Sequence, residues 1–124
     1  MIYGIGIDLI EVERVKKSIE EIVGFKEKIF TSKEISYCES KSRKFEHFAA
    51  RFAAKEAFFK AIGTGWRNGL AFNEIEVVND NLGKPEMRFY GKSDDLHRKK
   101  KFKSVNVSIS HLKEIASAVV IIET

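Results

Sequence analysis

The chain has 124 residues, 22 Lys and Arg against 18 Asp and Glu (formal net charge +4), and 44% hydrophobic residues. That length fits one domain, read here as 1–124, and the apolar share excludes an intrinsically disordered chain. A single cysteine, Cys38, excludes an intrachain disulfide and suits a reducing cytoplasm; the first apolar run, Ile5 to Ile10, is broken by Asp8 and is too short for a signal peptide or membrane span.

In chain order, Ile2 to Ile10 reads as a strand, with Ile2, Gly4, Gly6, Asp8 and Ile10 on one face and Tyr3, Ile5, Ile7 and Leu9 on the other. The glycine face invites close approach by another element. Val12, Val15, Ile19 and Ile22 recur at helical spacing, so Glu11 to Val23 reads as a helix stopped by Gly24. Thr31 with Glu34 three residues on predicts a capping box opening a second helix, Ser32 to Glu39. Lys41 to Glu46 is polar, a loop or helix entry. Phe45 to Ile62 is the strongest helical segment and ends at Gly63-Thr64-Gly65. Ile75 to Val78 and Glu86 to Tyr90 read as strands joined by a turn, Asn79 to Pro85. A short helix, Asp94 to Lys101, precedes a closing hairpin of Ser104 to Ser110 and Ile115 to Ile122, with its turn at His111 to Glu114. Strands at both ends of a helical middle predict an α+β fold, with an antiparallel sheet packed against a long central helix and shorter helices.

Two carboxylates stand in apolar settings. On a helical wheel Glu56 falls inside the stripe of Phe45, Phe48, Phe52 and Phe59, with Arg51, Lys55 and Lys60 flanking it. Such a carboxylate must be neutralised, by a proton, a cation or hydrogen bonds; it either pairs with Lys60 at i,i+4 or acts as a ligand. Asp8 interrupts an apolar strand. It either caps the first helix through a box with Glu11, or shares a hard divalent cation with Glu56, since magnesium takes one or two carboxylates and completes its shell with water and phosphate oxygens. Gly63-Thr64-Gly65 either stops the helix or brings backbone N–H groups to a phosphate, against the helix dipole. His111 is a turn residue or a catalyst. The run Arg98 to Lys103 is a solvated face or a phosphate binder; as a nucleic-acid module it would use Phe102 for stacking. A further alternative is an oligomeric domain that holds a nucleotide without catalysis.

Gly6-Ile7-Asp8, then Phe52-Ala53-Ala54-Lys55-Glu56-Ala57-Phe58-Phe59-Lys60-Ala61, Gly63-Thr64-Gly65, Gly83-Lys84-Pro85 and Val107-Ser108-Ile109-Ser110-His111 follow one another in an order that resembles the holo-[acyl-carrier-protein] synthase family of 4'-phosphopantetheinyl transferases over nearly the whole chain. The resemblance implies that family's fold. It also implies transfer of the 4'-phosphopantetheine arm of coenzyme A to a serine of apo-acyl carrier protein, with release of adenosine 3',5'-bisphosphate, in support of fatty acid biosynthesis. Magnesium (Mg2+) would sit on Asp8 and Glu56 and grip the pyrophosphate, where cleavage demands charge stabilisation. Lys60 would offset charge on the leaving phosphate. Arg51, Lys60, Gly63, Gly65, Pro85 and His111 would line the coenzyme A site, and Arg14 would face the acidic carrier. The serine proton would go to Glu56 through a water or to His111. The same resemblance implies a cytoplasmic homotrimer with coenzyme A between protomers, and no nucleic-acid or membrane partner. Arg98 to Lys103 and Trp66-Arg67-Asn68 stand outside the family pattern.

Overall fold

The computed structural model describes residues 1–64 and 69–124. Alternation in β1 (Ile2–Glu11) sends its glycine face inward, where a long helix, α4 (Lys44–Ile62), lies across it. A Cβ on Gly4 would collide with the carbonyl of Ala61 and one on Gly6 with that of Ala57. Two strand residues advance about 6.8 Å and four helical residues about 6 Å. The GxG spacing therefore keeps step with one turn of the alanine-rich helix. β1 pairs antiparallel with β5 (Ile115–Glu123), which pairs antiparallel with β4 (Ser104–His111), giving the order β1-β5-β4. Asp8 stands opposite Ala118, and His111 opposite Ala116. A second, two-stranded antiparallel sheet joins β2 (Ile75–Asn79) to β3 (Pro85–Phe89). The α+β class expected from the sequence holds, with the strands divided between two sheets rather than gathered in one.

Element ends differ from the expectation in instructive places. The first helix, α1, runs Val12–Glu21, starting one residue later and ending two residues earlier than expected; β1 continues through Glu11, and Ile22 lies 54% exposed rather than on the buried stripe. Gly24, expected only as a stop, precedes a further short helix, α2 (Phe25–Ile29), which has too few residues to show a period. Helix α3 (Ser32–Glu39) opens as expected: Thr31 Oγ1 accepts from Glu34 N at 3.2 Å and Glu34 Oε1 accepts from Thr31 N at 2.9 Å. Helix α5 runs Gly91–Lys99, starting three residues and ending two residues earlier than expected, because Ser93 Oγ accepts from Tyr90 N at 3.2 Å at its start. Gly63, at φ +80°, ends α4.

The core centres on α4. Phe48, Phe58 and Phe59 are closed off, as is Lys55, so the helix is buried around most of its circumference instead of along one phenylalanine stripe. The reason is that it is covered by the β1-β5-β4 sheet and also by α1, α3 and β2. Lys55 is paired at 2.6 Å with the equally buried Glu34. The outer face of β1 has no such cover: Ile5, Ile7 and Leu9 are 58%, 66% and 69% exposed.

Candidate active site

Asp8 lies on the helix-facing side of β1, and its carboxylate is largely covered. From α4, Lys60 reaches across: Nζ donates to Asp8 Oδ1 at 3.1 Å and to the Ile7 carbonyl at 2.9 Å. Lys60 thus turns to β1 instead of bridging to Glu56 along the helix. Glu56, one turn earlier, is half-buried. Burial raises its carboxyl above the ordinary carboxylate range, the neighbouring Asp8 charge adds to the rise, and Lys60 opposes it. Two carboxylates near enough to repel, with one ammonium between strand and helix, form the donor set that a hard dication relieves. Among the described residues no group of three or more His, Cys, Asp or Glu gathers as a metal cage. A two-carboxylate site fits magnesium, which leaves the rest of its shell to water and phosphate.

The helix-cap reading of Asp8 is overturned. The residue at the N-terminus of α1 is Glu11, it makes no side-chain cap, and the Val12 N–H donates to the Glu114 carbonyl at 2.8 Å. Gly63 does not offer its N–H to a phosphate, since that group donates to the Lys60 carbonyl at 3.1 Å; open space surrounds the position where its side chain would be. Gly65 and Trp66-Arg67-Asn68 lie outside the described residues.

Arg51, Pro85 and His111 lie elsewhere, each with its own neighbours. Arg51 is 4% exposed, and its Nη2 donates to Asn79 Oδ1 at 2.7 Å while the guanidinium lies 4.1 Å from the Tyr37 ring centroid. Its Nε is a buried donor with no partner among the described residues. Arg51 faces a cavity of about 240 Å³ shared with Lys33, Tyr37, Asn79 and Arg88. Three cations around one cavity favour an anion. Pro85 opens β3 opposite Asn79 and borders a groove of about 510 Å³ between β3 and β4, flanked by Lys84 and Lys103. His111 ends β4, so it is a strand residue rather than part of the turn. Its Nδ1 is 3.0 Å from Glu46 Oε1 and its ring 5.1 Å from that of His47, which in turn lies 5.8 Å from Tyr37. Burial first, then the neighbouring His111, pulls His47 below the usual histidine range.

One chain therefore carries two separate groups of candidate residues. Asp8 sits on the edge strand β1 and His111 on the opposite edge strand β4, with β5 between them. Glu46 and Glu56 are ten residues apart on α4, about 15 Å along its axis. Sequence reasoning missed Glu46, His47, Tyr37 and Asn79, because no local spacing links them to Arg51 or His111. It also placed Lys55 at the flank of a stripe, whereas its Nζ is buried on three acceptors. Arg14 stands exposed on α1 beside Lys17, Ser18 and Glu21. In the basic run, Arg98 is engaged by Asp94 at 2.8 Å and Phe102 is buried against Tyr3 and His97, so Phe102 offers no stacking surface for a nucleic acid. Among the described residues no helix is long and apolar enough to cross a membrane.

Residues 4–120 match the family model described as 4'-phosphopantetheinyl transferase superfamily. A holo-[acyl-carrier-protein] synthase from Geobacter sp. (strain M21) is 44% identical over 124 residues, covering 99% of each chain. The crystal structure of the synthase of that name from Neisseria meningitidis superposes with a TM-score of 0.91 at 33% identity, over 100% of both chains. The one from Bacillus anthracis, in complex with CoA (3',5'-ADP), gives 0.82 at 41% identity over 100% of this chain and 98% of that one.

Proposed function

Since the chain belongs to the 4'-phosphopantetheinyl transferase superfamily, among its holo-[acyl-carrier-protein] synthases, we propose that the two half-sites divide the labour of one transfer. The reaction moves the 4'-phosphopantetheine arm of coenzyme A to a serine of apo-acyl carrier protein, leaving adenosine 3',5'-bisphosphate, and serves fatty acid metabolism. The observation that carries the assignment is the meeting of Asp8, Glu56 and Lys60 across β1 and α4.

Asp8 and Glu56 would hold Mg2+, which when bound neutralises charge on the pyrophosphate. Lys60, already beside Asp8, is placed to offset charge on the departing phosphate. Gly63 leaves the space for that phosphate beside the helix end. Arg51, whose Nε has no partner among the described residues, would take the nucleotide's phosphates with Lys33 and Arg88 around the cavity, and Pro85 would border the bound coenzyme. Gly65 is kept in this lining by resemblance. His111 would accept the serine proton, since Glu56 is committed as a ligand. With Asp8 and His111 on opposite edge strands of one sheet, a neighbouring protomer would bring the second half-site to the first, and a homotrimer would meet that need. Arg14, exposed on α1, would meet the acidic carrier. The whole chain, 1–124, acts as one cytoplasmic transferase domain, with no nucleic-acid or membrane partner.

The deciding experiment is the mass of an apo carrier protein after incubation with the protein, coenzyme A and magnesium. A gain of one phosphopantetheine, abolished by a chelator, is expected. An unchanged mass under these conditions would remove the assignment.

A further inference from the structure

Glu46 is an acid outside both groups of residues assigned to the transfer. It lies in the first turn of α4, 6% exposed, and so far from bulk water that its carboxylate needs a partner. Among the described residues two groups face it: Arg43 Nε at 3.8 Å, on a largely exposed side chain, and His111 Nδ1 at 3.0 Å. Only the second is within hydrogen-bond distance. A carboxylate only accepts, so at that distance Nδ1 must carry the proton and donate it. The other ring nitrogen, Nε2, is then the one left free. A histidine in water favours the opposite tautomer, with the proton on Nε2, so the contact reverses an intrinsic preference. It also fixes the ring's rotation, because β4 holds the backbone and α4 holds the carboxylate.

We propose that Glu46 is a positioning residue for the transfer: it holds His111 in the Nδ1–H tautomer, so that Nε2 presents a lone pair to the incoming serine. This rests on the role given to His111 above and adds the residue that enables it. A base whose second nitrogen is held by a buried carboxylate is the arrangement by which an imidazole is oriented for proton transfer. His47, 5.1 Å from His111, packs against the ring without holding either of its nitrogens.

The test combines nitrogen-15 NMR of the full chain, at a pH where the imidazole is neutral, with single-turnover transfer. In the wild type His111 should show Nδ1 protonated and Nε2 bare. Glu46→Leu, which removes the acceptor and fills the space, should shift the ring to the Nε2–H form. Transfer should slow about tenfold or more, with the Michaelis constant for coenzyme A within about twofold. Glu46→Gln keeps an acceptor oxygen and should restore both the tautomer and most of the rate. A merely structural acid would move stability but not the tautomer, and would not be rescued selectively. An Nε2–H signal in the wild type overturns the proposal without any variant, even if Glu46→Leu does not fold. A changed tautomer with an unchanged rate in Glu46→Leu also overturns it. His111→Ala tests the parent reading separately. Normal transfer there would take His111 out of the site, whereas slow transfer there with normal transfer in Glu46→Leu would take out Glu46 alone.

Discussion

Glu56 is ionised against two opposing influences, its half-burial and the charge of Asp8. Its folded-state pKa is raised, so the unfolded chain gives up this proton first as pH climbs. The folded state is then penalised from the ordinary carboxylate range upward, until the folded group also ionises. Glu56→Gln removes that penalty. Without metal, its melting temperature should exceed the wild type's at neutral pH, and the gap should close as pH falls below the carboxylate range. Magnesium with coenzyme A should stabilise the wild type and not the variant. Both Glu56→Gln and Asp8→Asn should slow single-turnover transfer more than about 100-fold, roughly 2.7 kcal/mol of barrier; rates within about threefold of wild type would refute the shared-metal role. Lys60→Ala should lower turnover more than it weakens coenzyme A binding, because its ammonium serves charge that develops in the transition state. A variant with normal turnover and poor affinity would assign Lys60 to ground-state binding instead. Asp8 and Glu56 are legible in the sequence because acids in apolar runs stand out, and Lys60 because it lies one helical turn after Glu56. Glu46 is not: an acid in the first turn of a helix is an ordinary complement to the helix dipole, and its partner lies 65 residues away.

At the level of elements, the clamp beneath α4 decides where those side chains point. Lys55 Nζ uses all three of its protons, on Glu34 Oε1 at 2.6 Å, the Ile29 carbonyl at 2.7 Å and the Phe72 carbonyl at 3.0 Å. The other Glu34 oxygen accepts from Val77 N at 2.8 Å, so α2, α3, α4 and β2 meet at one ion pair. Burial lowers the Lys55 ammonium's pKa, and Glu34 opposes that fall. Removing one partner strands the other: Lys55→Met should cost about 3–5 kcal/mol in urea unfolding. Lys55→Met with Glu34→Gln should recover part of that, since the amide oxygen still accepts and the stranded charge is gone. A double variant no more stable than the single would mean that the charge is not the source of the loss. The sequence shows the capping box of Thr31 and Glu34 and the ends of the long helix, which depend on neighbours three or four residues away. It does not show that Glu34 has a second duty to Lys55, 21 residues on, nor that one turn, α2, breaks the segment after Gly24.

For the molecule as a whole, the uncovered face of β1 is the feature that the fold itself leaves unexplained. Ile5, Ile7 and Leu9 form an apolar stripe on the side away from α4. Isolated exposed side chains are ordinary, but a contiguous stripe of this kind marks a surface that meets another protein. Ile7→Lys should disperse the proposed trimer to monomers by light scattering, leave the monomer folded by circular dichroism, and abolish transfer. A wild-type chain that runs as an active monomer would refute the assembly. The sequence exposes this face through its period of two, and the glycines opposite it explain which side α4 must take; how the copies meet is written in no single chain.

In the proposed trimer, the placing of Asp8 and His111 on opposite edges of one sheet has a consequence for mixtures. Neither Glu56→Gln nor His111→Ala would work alone, yet each retains the half that the other lacks. Unfolded, combined in equal amounts and refolded together, they should regain about a quarter of wild-type activity, because about one subunit boundary in four would join two intact halves. The same two proteins mixed after assembly should stay silent until their subunits exchange, so recovery over time would serve as a clock for how often the oligomer comes apart.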